Sequence, residues 1–151
     1  MDTPPILICY DGSPSAARAI EAAATLLGPR QAVILDVAPP ITAAESVATL
    51  SPVVPGAAFE ELNIADANRV AARGAELARS SGFEAEARGG MGAPTWDEVV
   101  YVADELDSAA IVIGSRGLKG LREAFEGSLS HEVAEHAGRP VLIVPPPHDE
   151  R

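Results

Sequence analysis

A chain of 151 residues with 22 acidic against 11 basic side chains carries a formal net charge of −11, a surface that repels nucleic-acid phosphates and anionic membranes and argues against either as a partner. Hydrophobic residues make up 47 % of the chain but aromatic ones only 4 %, so one domain over 1–151 is expected, with an aliphatic core rich in alanine. No apolar run approaches the roughly 18 residues of a membrane span, and MDTPPILICYDGS lacks the basic start and long apolar stretch of a signal peptide. The single cysteine, Cys9, sits in the apolar run ILICY, cannot close an internal disulfide, and reads as a small buried hydrophobe. Together these features predict a cytoplasmic protein.

The first element is a strand, ILICY (6–10), followed by Asp11-Gly12-Ser13-Pro14. Serine before proline reads as an N-cap and first helical position. The helix that follows carries Ala16, Ala17, Ile20, Ala23, Ala24 and Leu27 at the i, i+3, i+4 spacing of one face, and Gly28-Pro29 ends it. AVILDV (32–37) is a second strand, closed by Pro39-Pro40. Residues 39–57, rich in Pro, Ala and Thr, have the least regular pattern of the interior. A long helix is expected over about 59–80, then a weakly alternating strand FEAEARG (83–89). Glycines 89, 90 and 92 with Pro94 mark a turn into a helix bearing Trp96, Val99, Val100, Ala103 and Leu106 at helical spacing. AAIVIG (109–114) is a buried strand, a short helix starts near Ser128, and VLIV (141–144) is the last strand. The ordered core is expected over about 4–146, with 147–151 frayed.

Strands alternating with helices predict a parallel sheet covered on both faces, with right-handed crossovers. Ligands of such sheets bind beyond the carboxyl ends of the strands, where strand order reverses. Asp11, Val37 and Gly114 all fall at such ends.

The stretch GSRGLKGLREAFEGS (114–128) begins at one of them. Gly114 and Gly117 give a turn whose backbone tolerates positive φ and lets a ligand approach the main chain. Gly127-Ser128 then opens a helix whose first N–H groups have no intrahelical partner and suit an anion, with Ser128 and Ser130 adding hydroxyls. This is a phosphate cradle made mainly of backbone. A P-loop fits worse, because Lys119 is followed by Gly120 and Leu121 rather than Ser or Thr. GMGAPT (90–95) lacks the last glycine of a dinucleotide fingerprint. In HEVAEH, His131 and His136 are five residues apart, too far around a helix to share a metal, and read as surface residues.

The spacing Gly114-x2-Gly117-x9-Gly127-Ser128 resembles the ATP-binding signature of the universal stress protein family. The likeness extends over nearly the whole chain, with YDGSPSAARAIEAA resembling that family's first strand end and helix, ILDVAPP its second strand and GRPVLIVPP its last. The resemblance implies a single-domain, Rossmann-like α/β fold of five parallel strands in the order 3-2-1-4-5, holding ATP across the strand ends. It places Asp11 at the base or ribose, Val37 against the adenine, Gly114 and Gly117 along the ribose and phosphates, and Gly127, Ser128, Leu129 and Ser130 at the phosphates. Each position has a plainer reading. Asp11 could form an Asx-turn or helix cap, Ser128 a simple N-cap, and Arg116 a solvated surface charge. Asp36 departs from the histidine common in the family at that place, and Glu123 and Glu126 from its apolar or basic residues. Arg116, Lys119 and Arg122 against Glu123 and Glu126 leave the loop a net charge of +1, little against three phosphates, so Mg2+ is expected with the nucleotide.

The resulting expectation is an ATP-binding, homodimeric stress or signalling sensor. Two alternatives stay open, a scaffold of the same fold that binds no nucleotide and a slow ATP-hydrolysing enzyme. No catalytic base, nucleophile or metal cluster stands out for the latter. The dimer is expected through 141–144, a bare aliphatic edge strand between Pro140 and Pro145 that needs cover.

Overall fold

The computed structural model describes residues 3–38, 56–115 and 129–147. Five strands, β1 (Ile6–Cys9), β2 (Gln31–Ala38), β3 (Glu84–Met91), β4 (Ala110–Gly114) and β5 (Val141–Val144), form one parallel sheet in the order β3-β2-β1-β4-β5. Among the described residues four helices accompany them: α1 (Pro14–Leu27), α2 (Gly56–Ser80), α3 (Thr95–Glu105) and α4 (Leu129–His136). The strand order expected from the resemblance is the one observed.

The faces follow from the direction of travel. From β1 to β3 the chain steps outward one way, and α1 and α2 pack on one face around Ile6, Ile8, Ile34 and Val112. The chain then returns across β1 to β4 and β5, and α3 and α4 cover the other face around Leu7, Cys9, Leu35, Ile111 and Ile113. Right-handed crossovers require that change of face when the direction reverses. β1 lies at the centre and is buried throughout, as an apolar run with helices on both sides should be. The edge strand β3 instead alternates, with Glu84 and Glu86 exposed on either side of buried Ala85.

The element boundaries differ from the sequence expectation by a few residues. α2 begins at Gly56 rather than 59, and β3 runs on to Met91. The buried face of α1 is Ala16, Ala19, Ile20 and Ala23, whereas Leu27, expected inside, is 38 % exposed. In an alanine-rich helix the apolar stripe is too broad to fix its rotation, and contact with the sheet decides it. In α3 the residues inside are Val99, Val102 and Ala103, with Val100 only half-buried.

α2 approaches the sheet closely because Gly74 has no side chain. A Cβ there would lie 2.5 Å from Cδ1 of Tyr10 and 2.8 Å from Cγ2 of Ile34. A mid-helix glycine costs about 1 kcal/mol of helix propensity, and here it seats the Tyr10 ring. Higher on α2, Asn68 Oδ1 accepts a hydrogen bond from the Gly89 N–H of β3 at 2.8 Å. At the other end of the fold, the Arg139 guanidinium donates to the carbonyls of Ala103 and Ser108, both at 2.9 Å, and pairs with Asp104. It ties the approach to β5 to the end of α3.

Candidate functional site

Three strand ends converge where the strand order reverses. Tyr10 N donates to Leu35 O at 2.9 Å, which continues the β1–β2 ladder past Cys9 and brings Asp11 near the level of Val37. On the other side of β1, Ile8 pairs with Val112, so Gly114 ends β4 alongside Tyr10. Val37 is 4 % exposed and belongs to the core cluster on the α3–α4 face.

The sequence Asp-Gly-Ser-Pro builds the turn between β1 and α1. Gly12 takes φ +86°, in the left-handed region that favours glycine. Asp11 Oδ1 accepts from Ser13 N at 2.9 Å, and Ser13 Oγ accepts from Ala16 N at 3.1 Å as the N-cap of α1. The Asx-turn weighed from sequence is therefore present, and it uses one carboxylate oxygen of the buried Asp11. Ser15 in the first turn of α1 fills the space beside Gly114, its Oγ 2.8 Å from where a Cβ would stand. That hydroxyl is itself buried and has no hydrogen-bond partner among the described residues.

Leu129 and Ser130 are the first two residues of α4. Because β5 runs parallel to β4, α4 must run back down the sheet, and its amino end lies at the same carboxyl edge as Asp11, Val37 and Gly114. Ser130 is buried, while Leu129 packs on the core cluster that contains Val133. Gly117, Gly127 and Ser128 lie outside the described residues, as do Arg116, Lys119, Arg122, Glu123 and Glu126.

Cys9 lies just below these strand ends, 2 % exposed, as expected of a small buried hydrophobe. Burial, then the charges of Asp36 and Asp11, push its thiol pKa up to about 12, so it stays protonated and unreactive at neutral pH. The histidines of α4 are surface residues: His131 lies beside Glu135, and His136 stacks on Trp96 with ring centroids 4.2 Å apart. No helix among the described residues is long and apolar enough to cross a membrane.

The family model described as the universal stress protein family matches residues 3–145. The chain belongs to the universal stress protein family. Universal stress protein YxiE of Bacillus subtilis (strain 168) is 33 % identical over 144 residues, covering 92 % of this chain and 97 % of YxiE. Among solved structures, a universal stress protein in complex with cAMP matches at 25 % identity and a TM-score of 0.61, covering 93 % of this chain and 95 % of its own. The universal stress protein of Archaeoglobus fulgidus in complex with dAMP matches at 24 % identity and a TM-score of 0.61, covering 95 % of this chain and 99 % of its own.

Two side chains of this universal stress protein had no sequence signal. Ser15 reads from sequence only as part of a helix start. Glu98 reads as a helix-surface acid, yet it folds back over Gly90 and Gly92 near the end of β3. Both positions depend on contacts between one element and another, Ser15 with Gly114 far along the chain and Glu98 across the turn with Gly90 and Gly92, which helical spacing does not reveal.

Proposed function

We propose that this universal stress protein binds ATP with Mg2+ at the carboxyl ends of β1, β2 and β4, and acts as a homodimeric cytoplasmic sensor in stress signalling. One observation carries the reading: Asp11, Val37 and Gly114 occupy three neighbouring strand ends at the switch point, and the chain after Gly114 keeps the Gly-x2-Gly-x9-Gly-Ser spacing. In this reading Val37 backs the adenine and Asp11 meets the base or ribose. Gly114 and Gly117 let the ribose and phosphates approach the main chain. Gly127, Ser128, Leu129 and Ser130 offer backbone and hydroxyl donors to the phosphates at the start of α4. The relatives solved with cAMP and dAMP, both adenine nucleotides, support this ligand class.

Mg2+ suits the reading because a loop of net charge +1 leaves most of the triphosphate charge uncompensated. Among the described residues the grouping of three ligand-bearing side chains is Glu132, Glu135 and His136, on α4. In this reading the ion enters on the phosphates rather than in a protein cage.

Dimerisation through β5 is supported by its place at one edge of the sheet and by Ile143, 38 % exposed there. An aliphatic edge strand is a liability unless covered, and pairing with its twin across a two-fold axis covers it.

Mass spectrometry of small molecules released from the purified, denatured protein tests the ligand. An adenine nucleotide is expected. Protein that releases none and takes up none from millimolar ATP supports instead the scaffold that binds no nucleotide.

A further inference from the structure

The turn that follows β3 contributes to no step of the reading above. Gly90 pairs with Val37 in the β2–β3 ladder, and Gly92 N donates to Ala38 O at 3.2 Å. A Cβ on Gly90 would lie 3.2 Å from Leu35 Cδ1, 3.3 Å from Glu98 Cγ and 3.4 Å from Glu98 Oε1. Leu35 and Val37 share the core cluster of α3, so Gly90 and Glu98 lie on the same side of the sheet as Val37. At Gly92 a Cβ would meet Glu98 Cβ at 2.9 Å and Oε2 at 3.1 Å. Two glycines therefore make room for one glutamate beside the end of β2.

Glu98 is half-buried in the first turn of α3, where the helix dipole favours an anion. Among the described residues its carboxyl has no hydrogen-bond or ion-pair partner. Arg88 is engaged by Glu105 at 2.6 Å. Burial raises the Glu98 pKa, Arg88 opposes the rise, and Asp97 and Glu105 add to it. A strong acceptor thus stands without a donor near the residue assigned to the base.

We infer that Glu98 is a specificity determinant of the nucleotide site, its carboxyl accepting a hydrogen bond from the exocyclic amine of a base held against Val37. The inference rests on the nucleotide-binding reading above. An ionised carboxylate only accepts. A 6-aminopurine offers it a donor, whereas a 6-oxopurine turns a lone pair toward it. A hydrogen bond to a charged group corresponds to a preference of about tenfold to a hundredfold.

Calorimetric titration with ATP and with inosine triphosphate, which replaces the 6-amino group with an oxo group, provides the test. The unmodified protein is expected to prefer ATP by about tenfold or more. Glu98→Gln brings the two affinities within about threefold, since its amide donates to the oxo group. Glu98→Ala removes the side chain and narrows the ratio without adding a donor. Glu105→Gln, which deletes the same charge one helical stretch away, keeps the original ratio. Equal affinities in the unmodified protein, an unchanged ratio in both Glu98 variants, or equal narrowing by Glu105→Gln would each overturn the inference while leaving ATP binding intact. Absence of ATP binding by the unmodified protein would remove the nucleotide reading and this inference with it.

Discussion

The Ser15 hydroxyl stands 2.8 Å from the point where a Cβ on Gly114 would sit, so the start of α1 closes directly onto the end of β4. Two consequences follow from one contact. Gly114→Ala would push a methyl group into that oxygen and lower stability by about 1–3 kcal/mol. Ser15→Ala removes an oxygen that is buried without a partner among the described residues, so on its own it is close to neutral or stabilising. The double variant should recover much of the loss. A double-mutant cycle in urea, read as unfolding midpoints, checks this; simple additivity would show that the two sites are not coupled.

Gly74→Ala improves helix propensity by about 1 kcal/mol in isolation. In this fold the new methyl meets the Tyr10 ring and Ile34, 2.5 and 2.8 Å away, and overpacking of that kind costs about 1–3 kcal/mol. Net destabilisation is expected, visible as a lower thermal midpoint. A raised midpoint would mean that α2 is free to move outward.

Glu98 gives a pH-dependent signature. Its pKa in the folded chain lies above the ordinary 4.5, burial being the main cause. The folded state holds this proton more tightly than the unfolded one, so ionisation costs stability. The cost is absent below the unfolded-state pKa, develops as pH rises through it, and is complete above the folded-state pKa. Glu98→Gln should therefore stabilise the protein modestly at neutral pH. The gain should fade on acidification below the ordinary carboxylate range. Thermal melts of both proteins across that range check the sign; a variant less stable at neutral pH would contradict it.

The edge strand β5 is the proposed dimer surface. The unmodified protein is expected to have the mass of a dimer in light scattering. Val141→Lys with Ile143→Lys should give monomer or aggregate, since two charges on this edge oppose pairing. A monomeric mass for the unmodified protein would refute a dimer through β5.

The alternation of short apolar runs with helical spacing reveals the five strands and, among the described residues, the four helices, most clearly at β1, which helices cover on both faces. The strand order is a different matter. Periodicity does not distinguish β4 beside β1 from β4 beside β3, and the order came from the resemblance carried by Gly114, Gly117, Gly127 and Ser128. Asp11, Val37 and Gly114 were legible as residues at or next to the carboxyl ends of strands, because each stands where an apolar run gives way to turn residues. Ala19 was missed on the inner face of α1 because alanines on several sides of the helix leave its apolar stripe too broad to fix the rotation. Glu98 and Ser15 were missed because their surroundings are glycines on other elements, and a glycine's missing side chain leaves no sign of what fills its place.

ATP binding is the claim on which the functional reading depends. ATP has roughly 30 heavy atoms, and about 0.3 kcal/mol for each gives about 9 kcal/mol, a dissociation constant just below ~1 μM. In this reading Gly127→Val with Ser128→Ala abolishes binding while the fold remains, because both residues are assigned to the phosphates rather than to the core. Isothermal titration of the nucleotide-free protein with ATP and Mg2+ is the most direct measurement. The account predicts saturable heat with a near-micromolar constant, lost in the double variant; no heat up to millimolar ATP in the unmodified protein would contradict it.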